Sequence, residues 1–461
     1  MPEIQDLAER AVAASTADGC VVVAAEHTEA NLRWAGNSLT TNGQMRTRSI
    51  TVVSTFDGPD GTRAGVVTRP VTTADELTAL VRASEQAGRQ GRPADDAAPL
   101  VADYPHGDDW NADPAETSID VFERFAPALG EAFGHWRKAD RLLFGFAEHQ
   151  STSYFVATST GLRRRFDQPD GRVEINGKSG DLSRSAWNGV HTRDFGDIDV
   201  AELTRGLDER LDWAARQLEL PAGRYETILP PTAVADLILD VYWNAAARDA
   251  EEGRSVYSRS GGATRIGEQL ASLPLTLRSD PSEPGLQCPP FEIVTQSGGG
   301  MQSVFDNGAP IDAVDWIREG TLTNLVRTRA HAAQTSMPPR LMCGNLILDG
   351  GGTASVDDMI ARTERGLLLT CLWYIREVDP QTLLLTGLTR DGVYLIENGQ
   401  VSGAVNNFRF NESPIDLLSR LTETGRTEPT LPREWSDYFR RAAMPAIRVP
   451  DFHMSTVSQA S

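Results

Sequence analysis

The chain has 461 residues, 64 acidic against 44 basic side chains, and a formal net charge of −20. A hydrophobic share of 40% and a charged share of 23% belong to a folded globular chain and argue against wholesale disorder. At about 150 residues per domain the length predicts about three structural units, and the acidic balance disfavours nucleic acid as a partner, because that affinity rests on Lys and Arg neutralising phosphates.

Cys20, Cys288, Cys343 and Cys371 are scattered and form no CxxC pair. They fit neither a disulfide framework nor a thiolate zinc site, and are expected to be buried small hydrophobes in a reducing compartment. The first ten residues, MPEIQDLAER, lack the basic and apolar regions of a secretory signal. No stretch approaches the ~20 apolar residues that span a bilayer. The expected location is cytoplasmic, with no membrane partner.

In chain order, Ile4, Leu7, Ala8, Ala11 and Val12 have helical spacing over Ile4 to Ala14. Cys20 to Ala25, Asn31 to Ala35 and Ser49 to Ser54 read as separate strands, with turn chemistry at Asn42-Gly43 and Asp60-Gly61. Thr73 to Gln90 returns to helix, with Leu80, Val81 and small Ser84 on one face. These residues, 1–90, make an α+β unit. Periodicity then vanishes over 91–116, which reads as a linker or loop. A middle α/β region, 117–222, holds a helix from Val121 to Asp140, strands Leu142 to Thr158 and Gly161 to Ile175, and an amphipathic helix from Ala201 to Leu218. Pro221 to Gly223 breaks the chain and places the main boundary. The last unit, 223–461, opens on a helix from Ala233 to Ala247. Strand-like runs follow at Leu273 to Leu277, Phe291 to Thr295, Leu341 to Leu348, Thr382 to Leu385 and Val393 to Glu397, with a helix over Ser355 to Arg365. Asp391-Gly392 and Asn398-Gly399 bracket the last run with turn residues. The fold class is therefore α+β: an N-terminal mixed α/β region, then a C-terminal domain rich in antiparallel strands. No fixed-period repeat supports a solenoid or propeller.

Motifs for chemistry are sparse. Gly171 to Ser179 (GRVEINGKS) has five residues between its glycines where a phosphate loop needs four, and no helix pattern follows. A hairpin turn at Asn176-Gly177 is the better reading. Gly298-Gly299-Gly300 and Gly350-Gly351-Gly352 lack the dinucleotide spacing and read as turns. The histidines, His27, His106, His135, His149, His191, His331 and His453, include no two within a helical turn, so no zinc-hydrolase pair is present. Glu251-Glu252 reads as a solvated helix end. Arg163-Arg164-Arg165 and Arg327 to His331 could hold an anion but read as surface charge. There is no GxSxG elbow and no cysteine in an electropositive local setting.

Several segments resemble the TldD/PmbA family, also called modulators of DNA gyrase. They are LRWAGNSLTTNG over Leu32 to Gly43, the stretch from Gly161 to Gly189, SVYS at Ser255 to Ser258 with GEQLAS at Gly267 to Ser272, ERGLLLT at Glu364 to Thr370, and RDGVYLIENG at Arg390 to Gly399. The resemblance implies two subunit types. The TldD type carries HExxxH on a helix shortly before the SVYS-like segment and a cysteine in a CGKxGQ-like motif near the C-terminus, which together hold a metal for peptide hydrolysis. Here the equivalent helix, Ala233 to Ala247, contains no His or Glu, and Ile238, Leu239 and Trp243 fall near the ligand positions. No cysteine follows Arg420.

The resemblance thus implies a non-catalytic, PmbA/TldE-type subunit of a cytosolic heteromeric metallopeptidase acting on unfolded peptides. It implies no catalytic or metal-binding residue and no cofactor in this chain. The metal, zinc by expectation, would sit in an HExxxH-bearing TldD-like partner subunit, and a homodimer could form in that partner's absence. Arg390 and Glu397, in the family-like strand segment, are the candidate peptide-binding or assembly residues. The alternatives are a standalone regulatory or protein-binding factor, or a specialised copy that matures a peptide natural product.

Overall fold

A computed structural model describes residues 3–71, 73–102, 109–298 and 300–458. His106, Gly299 and part of the 91–116 segment lie outside the described residues.

Helix α1 (Ile4–Ala14) precedes three strands, β1 (Gly19–Trp34), β2 (Leu39–Gly58) and β3 (Gly61–Arg69), and helix α2 (Ala74–Gln90). Then come α3 (Phe125–Lys138), β4 (Arg141–Thr158), β5 (Arg163–Ser179), β6 (Ser185–Thr192) and α4 (Val200–Trp213). The strands form one antiparallel sheet in the order β3-β2-β1-β4-β5-β6, so residues from both sides of the 91–116 segment share it. The apolar run at Cys20 to Ala25 is explained by burial on both faces. Val22 and Ala24 pack under α1 and α2 with Leu7, Leu77 and Leu80, while Val21 and Val23 meet Phe291, Val304 and Phe305 from the C-terminal half.

Helix α2 begins on a capping box between Thr73 and Glu76. It lies so close to the sheet that a β-carbon at Gly65 would stand 2.1 Å from the Ser84 carbonyl oxygen. Ser84 Oγ donates to the Gly65 and Val52 carbonyls at 2.8 and 2.9 Å. A small side chain on the helix therefore faces a missing one on the strand.

The C-terminal half holds a 14-stranded sheet. The short β7 (Gln217–Leu218) pairs with Gln400–Val405 at one end, and β8 (Gly223–Leu229) lies between the parallel strand Arg365–Leu369 and the antiparallel strand Ala442–Val457. Helix α5 (Pro231–Trp243) packs against this sheet with Leu237, Leu239 and Val241 in the largest core. The fold is α+β, as the sequence predicts.

The turn readings divide. Asn398 and Gly399, at φ of 53° and 78°, make the turn between Val393–Glu397 and Gln400–Val405. Asn42-Gly43 does not turn: it lies within β2, with Gly43 opposite Asn31. The separate strands expected on either side of residue 28 are one continuous β1, and its connection to β2 falls at residues 35–38. Asn176-Gly177 likewise sits within β5, paired to Phe144 and Leu143. Long strand pairing satisfies the backbone of these Asn-Gly steps, and turn propensity yields to it. Phe291 to Thr295 is not a strand. It makes one isolated bridge, Phe291 to Pro310, and its apolar side chains pack against Val21, Val23 and Val156 of the N-terminal sheet.

Candidate functional site

Helix α5 is the segment on which the family resemblance turns. Pro231 occupies its first turn, where a missing N–H is harmless, and its side chains from Ala233 to Tyr242 are buried. Two of these are acidic. Asp236 is fully enclosed, and Asp240 lies one turn later and 9% exposed. Asp236 Oδ1 accepts from the Glu434 N–H at 2.9 Å, and its carbonyl accepts from the Trp435 indole at 2.9 Å. Among the described residues the Oδ2 atoms of Asp236 and Asp240 are buried without a hydrogen-bond partner. Burial pushes both carboxyls up, Asp240 to about 7 with help from the charges of Glu377 and Glu434. Arg433 opposes that rise at Asp236.

The segment Arg433 to Tyr438 crosses from α5 to the N-terminal sheet and forms one wall of a cleft of about 630 Å³. Trp243 meets Trp435 edge-on at 5.2 Å, which fixes the segment to the helix. On the opposite wall, Arg172 of β5 donates to Ser436 Oγ at 2.8 Å and to Asp437 Oδ1 at 2.7 Å, and lies 4.7 Å over the Phe146 ring. Ser436 Oγ in turn donates to Glu174 at 3.0 Å. The rest of the rim is Arg33, Trp373, Tyr374, Arg376 and the largely exposed Tyr438. Arg433 stacks over Trp373 and Trp187 at 4.8 and 5.4 Å. Beneath the cleft Arg440 pairs with Glu148 at 2.8 Å, and Arg441 and His191 converge on Asp170. These neighbours hold the Asp170 carboxyl down to about 2 despite its burial.

The strand Leu372–Asp379 borders this cleft. Among the described residues it pairs with one neighbour only, Leu384–Thr389. A register shift between Trp373 and Arg376 coincides with Tyr374 at φ 56°, a left-handed backbone that turns its ring outward to 58% exposure. Glu434 Oε1 accepts from the Ile375 N–H at 3.1 Å and caps one group of the outer edge. A second cleft, about 690 Å³ between α3 and α4, is lined by Ala128, Ile198 and Val200. Its His135 and Asp208 are 4.0 Å apart and near solvent.

The residues on α5 do not fit a divalent metal. Ile238 and Leu239 offer no donor atoms, Trp243 packs on Trp435, and the two aspartates are biased by burial toward their neutral form. Among the described residues no group of three or more His, Cys, Asp or Glu side chains is placed to hold a metal ion.

Arg390 and Glu397 are not brought together. Arg390 precedes the strand Val393–Glu397 and Glu397 ends it, and the two line different surroundings. Arg390 lines a separate cleft with Lys178, Asp391 and Asn406 and pairs with Asp391 at 3.6 Å, whereas Glu397 is 4.0 Å from Arg365.

The side chains of Arg165, Arg327 and His331, read as surface charge, are buried, and that of Glu251 is half-buried. Arg165 donates to the Asp109 and Asp113 carbonyls and pairs with Asp167 at 2.9 Å. Arg327 and His331 both contact Glu251, at 3.0 Å each, so Glu251 is not a solvated helix end. Apart from Asp167, two residues from Arg165, these partners come from segments 52 to 80 residues away, and local charge patterning carries no trace of them. The Arg172–Ser436–Asp437 link joins positions more than 260 residues apart and left no sequence signal either. Asp236 and Asp240 did leave one: two acids, four residues apart, inside an otherwise apolar helix.

The same fold occurs in several solved structures. TldE from Thermococcus kodakarensis superposes with a TM-score of 0.79 at 16% identity, covering 97% of this chain and 99% of that one. Candidate modulators of DNA gyrase from Bacteroides thetaiotaomicron and Thermotoga maritima follow at TM-scores of 0.76 and 0.74, both 15% identical and covering 97–98% of this chain and 98–99% of theirs. No curated protein matches. The sequence profile described as the PmbA/TldA metallopeptidase C-terminal domain matches residues 222–456, and the chain belongs to the TldD/PmbA family.

Proposed function

We propose that this chain is the metal-free subunit of a two-subunit TldD/TldE-type metallopeptidase, with the metal and general base supplied by an HExxxH-bearing homologue. The observation that carries the reading is α5, whose positions near the family's ligand sites hold Ile238, Leu239 and Trp243. Apolar side chains cannot bind or activate a metal-held water. The likeness to a protein named TldE is consistent with this assignment.

The substrate in this reading is unfolded peptide. A strand with one unpaired side offers backbone hydrogen bonds to any extended chain, which gives affinity with little demand on sequence. The edge at Leu372–Asp379, with Tyr374 and Tyr438 exposed beside it, has that character. The net charge of −20 weighs against direct DNA contact by a gyrase modulator, though not against a protein partner.

Co-expression with an HExxxH homologue, gel filtration, elemental analysis and a peptidase assay test the proposal. The pair should co-elute, hold metal, and cleave short or denatured peptides while sparing a stable folded protein of the same sequence. This chain alone should hold no stoichiometric metal and cleave nothing. One tightly bound metal per isolated chain, or failure of two folded proteins to co-elute at micromolar concentration, would overturn it.

A further inference from the structure

Cys288 and Cys343 are 55 residues apart in sequence, yet their sulfurs lie 3.5 Å apart, and both side chains are buried. The contact is built by its surroundings. Asn345 Nδ2 donates to the Asp280 and Leu286 carbonyls at 2.6 and 2.8 Å, which ties the loop carrying Cys288 to the segment carrying Cys343. The Cys288 N–H donates to the Pro281 carbonyl at 3.1 Å, and the Cys343 N–H donates to the Tyr242 hydroxyl at 2.7 Å. A β-carbon at Gly344 would stand 3.2 Å from Cys288 Cβ and 3.5 Å from both Cys288 Sγ and Arg441 Nη2. Glycine at that position therefore lets the guanidinium and the thiol share one small space. A cavity of about 310 Å³ lies alongside it, lined by Pro289, Met342, Gly344 and Arg441, the chain neighbours of both cysteines among them, although neither sulfur itself lines the cavity.

We propose that Cys288 and Cys343 form an oxidation site, a dithiol that a hydroperoxide entering this cavity converts to an intramolecular disulfide. Cys288 is the attacking sulfur. The hydrogen bond from Cys343 and the charge of Arg441 draw its thiol down, while the neighbouring Cys288 sulfur and then burial push Cys343 up. The Cys288 thiolate attacks one peroxide oxygen; the O–O bond breaks, the sulfur becomes a sulfenic acid, and the other oxygen leaves and takes a proton as water or alcohol. Cys343 sulfur then attacks the sulfenic sulfur. The S–O bond breaks, hydroxide leaves with the Cys343 proton as water, and the S–S bond forms. Two thiols lose two electrons and the peroxide gains them. The sulfurs must close from 3.5 Å to about 2.05 Å. Cys20 and Cys371 are internal controls: both are buried, and burial pushes both thiols up, Cys20 to about 11.

The folded, full-length chain is exposed to hydrogen peroxide, quenched, and examined by denatured thiol titration, intact mass and peptide mapping. The expected result is loss of two of the four thiols, a mass lower by about 2 Da, a Cys288–Cys343 cross-linked peptide, and full reversal by dithiothreitol. The Cys343→Ser chain, folded by circular dichroism, should instead stop at a sulfenic acid on Cys288, captured by dimedone. Four intact thiols, a cross-link through Cys20 or Cys371, or over-oxidation of Cys288 with Cys343 left free would overturn the proposal.

Discussion

Asp240→Asn should raise stability, and by an amount that grows with pH. The Asp240 carboxyl rises from 3.8 to about 7 on folding because burial and the nearby Glu377 and Glu434 disfavour its charge. Below 3.8 both the folded and unfolded states hold the proton, and the group contributes nothing. Between 3.8 and 7 the folded state keeps a proton that the unfolded state has released, so stability falls by about 1.4 kcal/mol per pH unit. Above about 7 both states are ionised and the loss levels off. Between about pH 5 and about pH 8 the wild type should therefore lose roughly 2–3 kcal/mol that the asparagine variant keeps. Any hydrogen-bond or packing change made by the amide is a constant offset and cancels between the two pH values. Urea unfolding of both proteins at the two pH values measures the difference directly. A gap that stays the same at both would show that Asp240 is ionised in the folded protein and that its environment has been misjudged. Asp236→Asn should change with pH in the same direction.

Other outcomes follow from the same packing. Arg172→Ala strips a nearly buried cation from Ser436, Asp437 and Glu174 and should cost about 3 kcal/mol in urea unfolding; it should also loosen the 433–438 segment, read as faster amide exchange there. Gly65→Ala forces α2 off the sheet, since its β-carbon would sit 2.1 Å from the Ser84 carbonyl oxygen, and should lower stability by at least about 2 kcal/mol. Arg390→Ala and Glu397→Ala break weak ion pairs of half-exposed groups and should shift stability by less than about 0.5 kcal/mol. Co-elution with the HExxxH partner and KM of the pair then read any effect on assembly or peptide binding, while metal content should stay unchanged.

What the sequence alone determines here is local and patterned. The helices α1, α2 and α4 carry their apolar stripes and, at Thr73 and Asp199, their caps, so they can be read without a partner. The α+β class follows from that patterning, and the family from the order of its motif segments. The apolar character of α5 at Ile238, Leu239 and Trp243 is equally a property of the string of letters. Tertiary structure decided the rest. Asn42-Gly43 and Asn176-Gly177 became strand because long neighbours were available to pair with them, whereas Phe291 to Thr295 found only the short 308–311 segment and packs its apolar side chains on the N-terminal sheet. The interior charges differ for the same reason. Arg165, Arg172 and Arg327 look like solvated cations until remote segments bring the Asp109 and Asp113 carbonyls, Asp437 and Glu251 against them. Burial also turns ordinary carboxyls and thiols into distinctive ones. Desolvation sets the state of Asp240, the hydrogen bond from Cys343 and the nearby Arg441 charge set that of Cys288, and all of these exist only after the chain has closed on itself.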